Sequence, residues 1–311
     1  MFPRNKKNLE LARRIFLDSL DECLYFPKYF EIETINACNA RCIMCTINDW
    51  SKKNNSVIKD ELFEKFINEV ANYSDWIETI CLNRDGEPTL DKQLSKRVKM
   101  LKKAGIKRLT LTTNAQLLTP ELSSELIDSG LDDIMISMDS IKKETFEKIR
   151  VGLNYETVVG NILALIKIRN EKESKMTIRI RMVIIDENKE EVEEWIQYWT
   201  GFVSEKDRVY AMPAHTWGNQ LKQDKSATYQ AIQNNPCVFV FSSIAMHVNG
   251  EIGLCNVDYN IKHAMGDFTK QSIKEIWNGP EFNRVRELHA AGRKNNISLC
   301  KGCNIWDREY K

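Results

Sequence analysis

The chain has 311 residues, 42% apolar and 29% charged, enough for one large or two ordinary domains with their own cores. Lys plus Arg number 45 against 44 for Asp plus Glu, so the basic excess typical of nucleic-acid binding is missing and no nucleic-acid partner is expected. No run of eighteen apolar residues occurs, and the charged N-terminus lacks the apolar centre of a signal peptide. No membrane span or membrane partner is therefore expected, and the expected compartment is the cytoplasm.

Residues 7–24 are amphipathic and read as one helix within an N-terminal helical extension over 1–29. From 30 to 212 a rhythm repeats about six times: a β-branched run, a loop, then a charged amphipathic helix. The runs are 29–35, 76–82, 108–114, 133–139, 176–185 and 207–213, and the helices include 58–73, 119–130 and 155–170. Such alternation implies an α/β fold of βαβ units with a mainly parallel sheet and right-handed crossovers. Six units can form an open sheet or a partial (β/α)6 barrel, and in both the chemistry sits at the C-terminal strand ends. Cys38 lies just past the first run. In the fifth run Ile178, Ile180 and Met182 share one face and Arg179 and Arg181 the other; in the third, Thr110, Thr112 and Asn114 share a face. Helices cover the outside of such a sheet, so the polar faces are expected to point into the lumen. Past 213 the rhythm stops. Asn249–Gly250 signals a hairpin, and two helices are expected at 271–278 and 280–291. Residues 213–311 thus read as a second, smaller domain of hairpin plus helices.

Nine cysteines in a chain expected to be cytoplasmic point to metal rather than disulfides. Cys38, Cys42 and Cys45 are separated by three and then two residues. A structural zinc wants four ligands. A redox pair of Cys42 and Cys45 leaves Cys38 unexplained. Three thiolates on a cubane 4Fe–4S cluster leave one iron open to another ligand. Cys237, Cys255, Cys300 and Cys303 form a second group of four, and that count fits a zinc ribbon as well as an iron–sulfur site.

The stretch CNARCIMC (38–45) resembles the C-x3-C-x2-C signature of the radical S-adenosylmethionine (SAM) superfamily. DGEP (85–88), TTNA (112–115), ISMDS (136–140) and KIRVGLNYETVVGNI (148–162) are similar to further motifs of that family, in the same order. The resemblance implies a partial barrel over 30–212. It implies SAM bound to the open iron through its amino and carboxylate groups. An electron, supplied by a flavodoxin or ferredoxin, would then cleave SAM to a 5′-deoxyadenosyl radical that takes hydrogen from substrate. Carried over by motif, Glu87 and the backbone around Gly86 hold the SAM amino group. Ser137 contacts the ribose or carboxylate end, and Asn114 the ribose. Arg150 is the implied carboxylate partner, with Arg179 or Arg181 able to do the same or to bind substrate. Met44 stands where the family often has an aromatic residue near the adenine, which a thioether can also pack against. Asp85 stands where many members have glycine and reads as a solvated loop carboxylate or a substrate contact.

NGEIGLC, MGDF, IKEIWNGPEFNRVR and CKGC resemble the SPASM and twitch auxiliary-cluster domains. A full SPASM domain has seven cysteines for two clusters. The four here imply one closed auxiliary 4Fe–4S cluster, as in the twitch version, suited to electron transfer or structure. That makes two 4Fe–4S clusters in all. Cys23 reads as a core residue. Cys81 shares a face with Asn83 and Asp85, where a thiol could return hydrogen to a substrate radical. His215 and Trp217 read as substrate contacts or as a capping His and a packed Trp. The leading expectation is oxidation or epimerisation of a small polar molecule: a carbohydrate, aminocyclitol or amino-sugar. The alternative is thioether formation or epimerisation in a ribosomally made peptide. Only 37 residues precede the first cysteine of the signature, too few for the recognition domain many such enzymes carry, which weighs against it. A third alternative, a non-catalytic electron-transfer protein, is disfavoured by the glutamate and serine motifs.

Overall fold

The computed structural model describes residues 1–50, 54–215, 217–218, 220, 235–303 and 305. It has two compact units, one made of Met1–Glu31 with His215–Lys311 and one of Ile32–Ala214. The first unit therefore joins the two ends of the chain, a pairing that no local pattern announces.

The expected helix 7–24 is broken. Helix α1 spans Lys6–Arg14, with Asn5 capping it by accepting the Asn8 N–H at 3.0 Å. Phe16 then takes a positive φ of 58°, which stops the helix. A separate 3-10 turn, Leu20–Leu24, starts at a Ser19–Glu22 capping box. Amphipathic spacing ran on through the break, so periodicity alone could not show it. Cys23 is a core residue, 1% exposed, and burial pushes its thiol up to about 12.

The strand β1 (Tyr29–Ile32) leads into the second unit. There follow α2 (Asp60–Ala71), β2 (Thr79–Cys81), α3 (Leu94–Lys103), β3 (Leu109–Thr113), α4 (Pro120–Asp128), β4 (Asp133–Ser137), α5 (Lys143–Ile149), α6 (Tyr155–Glu171), β5 (Thr177–Ile184), α7 (Val192–Thr200) and β6 (Arg208–Pro213). Strands β2 to β6 pair in that order, all parallel. This is the α/β, partial-barrel organisation expected from the rhythm. Ile80, Leu82, Leu109, Leu111, Ile134, Ile136, Ile178, Ile180 and Met182 are fully buried. They alternate with Cys81, Thr110, Thr112, Met135, Ser137, Arg179 and Arg181, as period-two strands require. The helices supply Phe63, Phe66, Val158, Ile162, Leu165, Trp195 and Trp199 to the buried set, each worth roughly 1.5–3 kcal/mol on full burial. Arg169 and Asp207, both with fully buried side chains, form a two-pronged pair at 2.8 and 2.7 Å.

The C-terminal part holds α8 (Phe239–Ser242), β7 (Ser243–Met246), β8 (Glu251–Gly253), β9 (Ala264–Asp267), α9 (Ile273–Trp277) and α10 (Pro280–Ala290). The expected hairpin is β7–β8, antiparallel, with Gly250 at φ 88° in its turn. That φ is why the turn takes glycine. The third strand, β9, continues the antiparallel ladder; its four residues, AMGD, carried no strand pattern. Among the described residues no helix is long and apolar enough to cross a membrane.

Candidate functional site

The segment after β1 carries Cys38, Cys42 and Cys45 and is clamped on two sides. On one side, the Arg41 and Ile43 N–H groups donate to the Val151 and Ile149 carbonyls at 2.8 and 3.1 Å. On the other, the Glu87 N–H donates to the Ala37 carbonyl at 2.7 Å. Gly86 makes that second approach possible. A Cβ there would lie 2.2 Å from the Ile35 oxygen and 2.7 Å from the Ala37 oxygen, closer than atoms can pack. The glycine of DGEP therefore seats its loop on the backbone that leads into Cys38.

The three thiols are close enough to influence one another. Burial pushes Cys38 up to about 12, with Cys42 and Cys45 adding to the rise; burial raises Cys45 as well. Such a trio carries three negative charges only around a cationic centre. Two donors already point at sulfur: the Ala40 N–H to Cys38 Sγ at 3.5 Å and Arg150 Nη1 to Cys42 Sγ at 3.6 Å. Sulfur-directed donors beside these thiols fit an iron–sulfur cluster.

The residues that motif matching assigned to SAM separate into groups. Glu87 is 3% exposed. Its carboxylate accepts from Thr89 N–H (3.1 Å), Thr89 Oγ1 (2.7 Å), Thr113 Oγ1 (2.7 Å) and Asn114 N–H (2.8 Å). Three of these donors share Oε1 and one meets Oε2, and together they tie the DGEP loop to the end of β3. Asn114 in turn donates to Asn39 Oδ1 at 2.8 Å, inside the cysteine segment. Arg150 is buried against Asp139, its Nε donating at 2.5 Å. Against burial, which lowers it, that carboxylate and the Cys42 sulfur keep the guanidinium charged. Arg150 thus has one carboxylate partner within this chain. Arg179 is likewise paired with Asp133, which also accepts from Arg108 at 3.1 Å. Arg181 differs. It donates to Ser137 Oγ at 3.3 Å, across the β4–β5 register, and its buried Nε has no partner. It makes no ion pair among the described residues, and burial lowers it from the ordinary arginine value.

Asp85 is not a solvated loop carboxylate: its side chain is buried and ion-paired with Arg84. Cys81 is half-buried and lies opposite Thr110. Its Sγ donates to Asn83 Oδ1 at 3.1 Å, and that oxygen also accepts the Thr112 N–H at 2.8 Å. Met44 is half-buried between the second and third cysteines. His215 and Trp217 meet edge to face at 4.7 Å, and His215 Nδ1 accepts the Trp217 backbone N–H at 3.2 Å. Sequence reasoning missed Asp139, the partner of Arg150, and Asn39. Asp139 follows the ISMDS serine by two positions and is fully buried; a lone acid at a strand end was the available signal.

The second cysteine group also converges. Cys237, Cys255, Cys300 and Cys303 line one pocket, together with Val240, Leu254 and Leu299. The lining is mostly apolar. Burial raises the Cys255 and Cys300 thiols, and the neighbouring cysteines push them further in the same direction. Four thiols in an apolar pocket suit a fully ligated cluster.

Comparison with known proteins agrees with both centres. Residues 32–198 match the radical SAM superfamily, and residues 237–304 match SPASM, an iron–sulfur cluster-binding domain. A tungsten-containing aldehyde ferredoxin oxidoreductase cofactor-modifying protein of Pyrococcus furiosus is 30% identical over 55% of this chain and 48% of its own length. A probable GTP 3′,8-cyclase of Saccharolobus islandicus is 30% identical over 53% and 51%. The chain thus spans about half the length of these curated relatives. Among solved structures, BtrN in complex with AdoMet and 2-DOIA superimposes with a TM-score of 0.62 at 19% identity, covering 90% of this chain and 93% of BtrN. SuiB of Streptococcus suis, bound to precursor peptide SuiA, gives 0.69 at 13% identity over 95% and 74%. With the cysteine geometry, these matches show that the chain belongs to the radical SAM superfamily, uses SAM and a 4Fe–4S cluster, and carries a C-terminal SPASM iron–sulfur domain.

Proposed function

We propose that the protein oxidises or epimerises a small polar substrate, of the carbohydrate, aminocyclitol or amino-sugar class. The observation that carries this reading is the contrast between the two cysteine sets: three thiols in the segment after β1, four enclosed in the apolar pocket. When bound, SAM and the first cluster supply a hydrogen-abstracting radical. Four cysteines would ligate every iron of a bound cluster, which would suit it to accept an electron or to hold structure; accepting an electron is what an oxidation needs.

The chain's own residues position this chemistry. Cys38, Cys42 and Cys45 would hold the first cluster, with Arg150 fixed by Asp139 as a donor to Cys42. Arg181, with Ser137, is the guanidinium left for an anionic group, and we assign it the SAM carboxylate. The backbone around Gly86 would meet the amino group, Asn114 the ribose, and Met44 the adenine. Cys81 is the candidate hydrogen donor if the reaction is epimerisation. A flavodoxin or ferredoxin would supply electrons.

The test is anaerobic incubation of reconstituted protein with SAM, reductant and a panel of polyols and amino-polyols in deuterated water. Formation of 5′-deoxyadenosine with a product lighter by two hydrogens identifies oxidation. Solvent deuterium at carbon identifies epimerisation. Turnover of peptides, with every small molecule left unchanged, would overturn the substrate class.

A further inference from the structure

The SPASM pocket contains a histidine that neither the cysteine pattern nor the radical mechanism uses. His289 is the penultimate residue of α10, is 1% exposed, and lines the pocket beside the four cysteines. Its Nδ1 accepts the backbone N–H of Cys237 at 3.1 Å. Its Nε2 is buried and has no hydrogen-bond partner among the described residues.

Those facts decide the tautomer. A ring nitrogen that accepts an N–H carries no proton, so in the neutral imidazole the proton sits on Nε2. That makes Nε2 a donor and not a metal ligand, because a ligating Nε2 would need its proton on Nδ1, facing the Cys237 N–H. A buried donor without a partner is costly, and the acceptors a loaded pocket would offer are sulfurs. Lys294 lines the same pocket, is 3% exposed, and is held there by donating to the Cys303 carbonyl at 3.2 Å.

We infer that His289 donates its Nε2–H to a sulfur of the auxiliary cluster and, with the Lys294 charge, raises that cluster's reduction potential. Cluster sulfurs gain negative charge on reduction, so a fixed donor and a buried cation stabilise the reduced form. This rests on the reading that the four cysteines hold an iron–sulfur cluster. His289 is a positioning residue here: its contact sets how readily the cluster takes an electron.

The experiment isolates the auxiliary cluster in the full chain carrying Cys38→Ala, Cys42→Ala and Cys45→Ala, and follows its reduction by EPR during a redox titration. His289→Leu removes acceptor and donor, and should shift the reduced-to-oxidised ratio by on the order of tenfold toward oxidised, about 59 mV for one electron. His289→Gln, which can accept and donate in the same two directions, should restore most of the potential. Lys294→Met should shift it in the same direction as His289→Leu. Unchanged iron content with an unchanged potential in both His289→Leu and Lys294→Met overturns the inference. Absence of iron from the starting triple variant would instead overturn the cluster reading on which it rests. If His289→Leu loses iron, the potential of His289→Gln against Lys294→Met decides: equal potentials refute the tuning role.

Discussion

Glu87→Gln separates two roles for the same side chain. If the carboxylate meets the SAM ammonium directly, the substitution weakens SAM binding and leaves the empty protein as stable as before. The structure instead places four donors on it, at 2.7–3.1 Å, from Thr89, Thr113 and Asn114. Burial raises its carboxyl from the ordinary value, and these donors oppose the rise. Glutamine can keep one oxygen against the three donors from Thr89 and Thr113. Its amide nitrogen must then face the Asn114 N–H, now 2.8 Å from a carboxylate oxygen. One buried donor is left unpaired, at about 1–3 kcal/mol, and the three remaining bonds fall from charge-assisted to neutral strength. Unfolding of the protein without SAM or iron, followed anaerobically in urea, should therefore show a loss of at least about 1 kcal/mol. An unfolding curve that overlays the wild type, accompanied by lost SAM binding, would refute the assignment of Glu87 to the loop.

Gly86→Ala places a methyl against two backbone oxygens that no rotamer change can move aside. Overpacking of this kind costs about 1–3 kcal/mol or more, and here the strain falls on the approach to Cys38. Reconstituted protein should lose roughly half its iron while the auxiliary cluster keeps its spectrum; full iron content would count against the clamp. Arg169→Met strands the Asp207 carboxylate in the core and should cost about 3–5 kcal/mol, with most of that recovered in Arg169→Met/Asp207→Leu. Arg169, Ser204 and the Ile178 N–H outweigh burial and hold the Asp207 carboxyl down at about 2, from an ordinary 3.8. Between those values the unfolded chain binds more protons than the folded one, so stability rises with pH. The contribution should be complete above about 3.8 and fade as pH falls toward 2, and Asp207→Asn should flatten that part of the stability profile.

Much of the site could be read from the sequence because cluster ligands are encoded by short spacing. Three cysteines within eight residues must lie close in almost any fold, and the β/α rhythm puts them at a strand end. The alternation in β5 likewise separated Ile178, Ile180 and Met182, all fully buried, from Arg179 and Arg181. The distant cysteines needed a family resemblance, since nothing local joins Cys255 to Cys300.

What the sequence determined by itself was therefore the grouping of the signature cysteines, the parallel α/β organisation and the face each strand residue takes, all set by covalent spacing and period. Only the tertiary structure decided which of three arginines meets a carboxylate. Among the described residues, Arg150 meets Asp139, Arg179 meets Asp133, and Arg181 meets the Ser137 hydroxyl but no carboxylate. The Arg179 and Arg181 contacts depend on the register in which β5 lies alongside β4, and the Arg150 contact on how the end of α5 returns to the residues after β4.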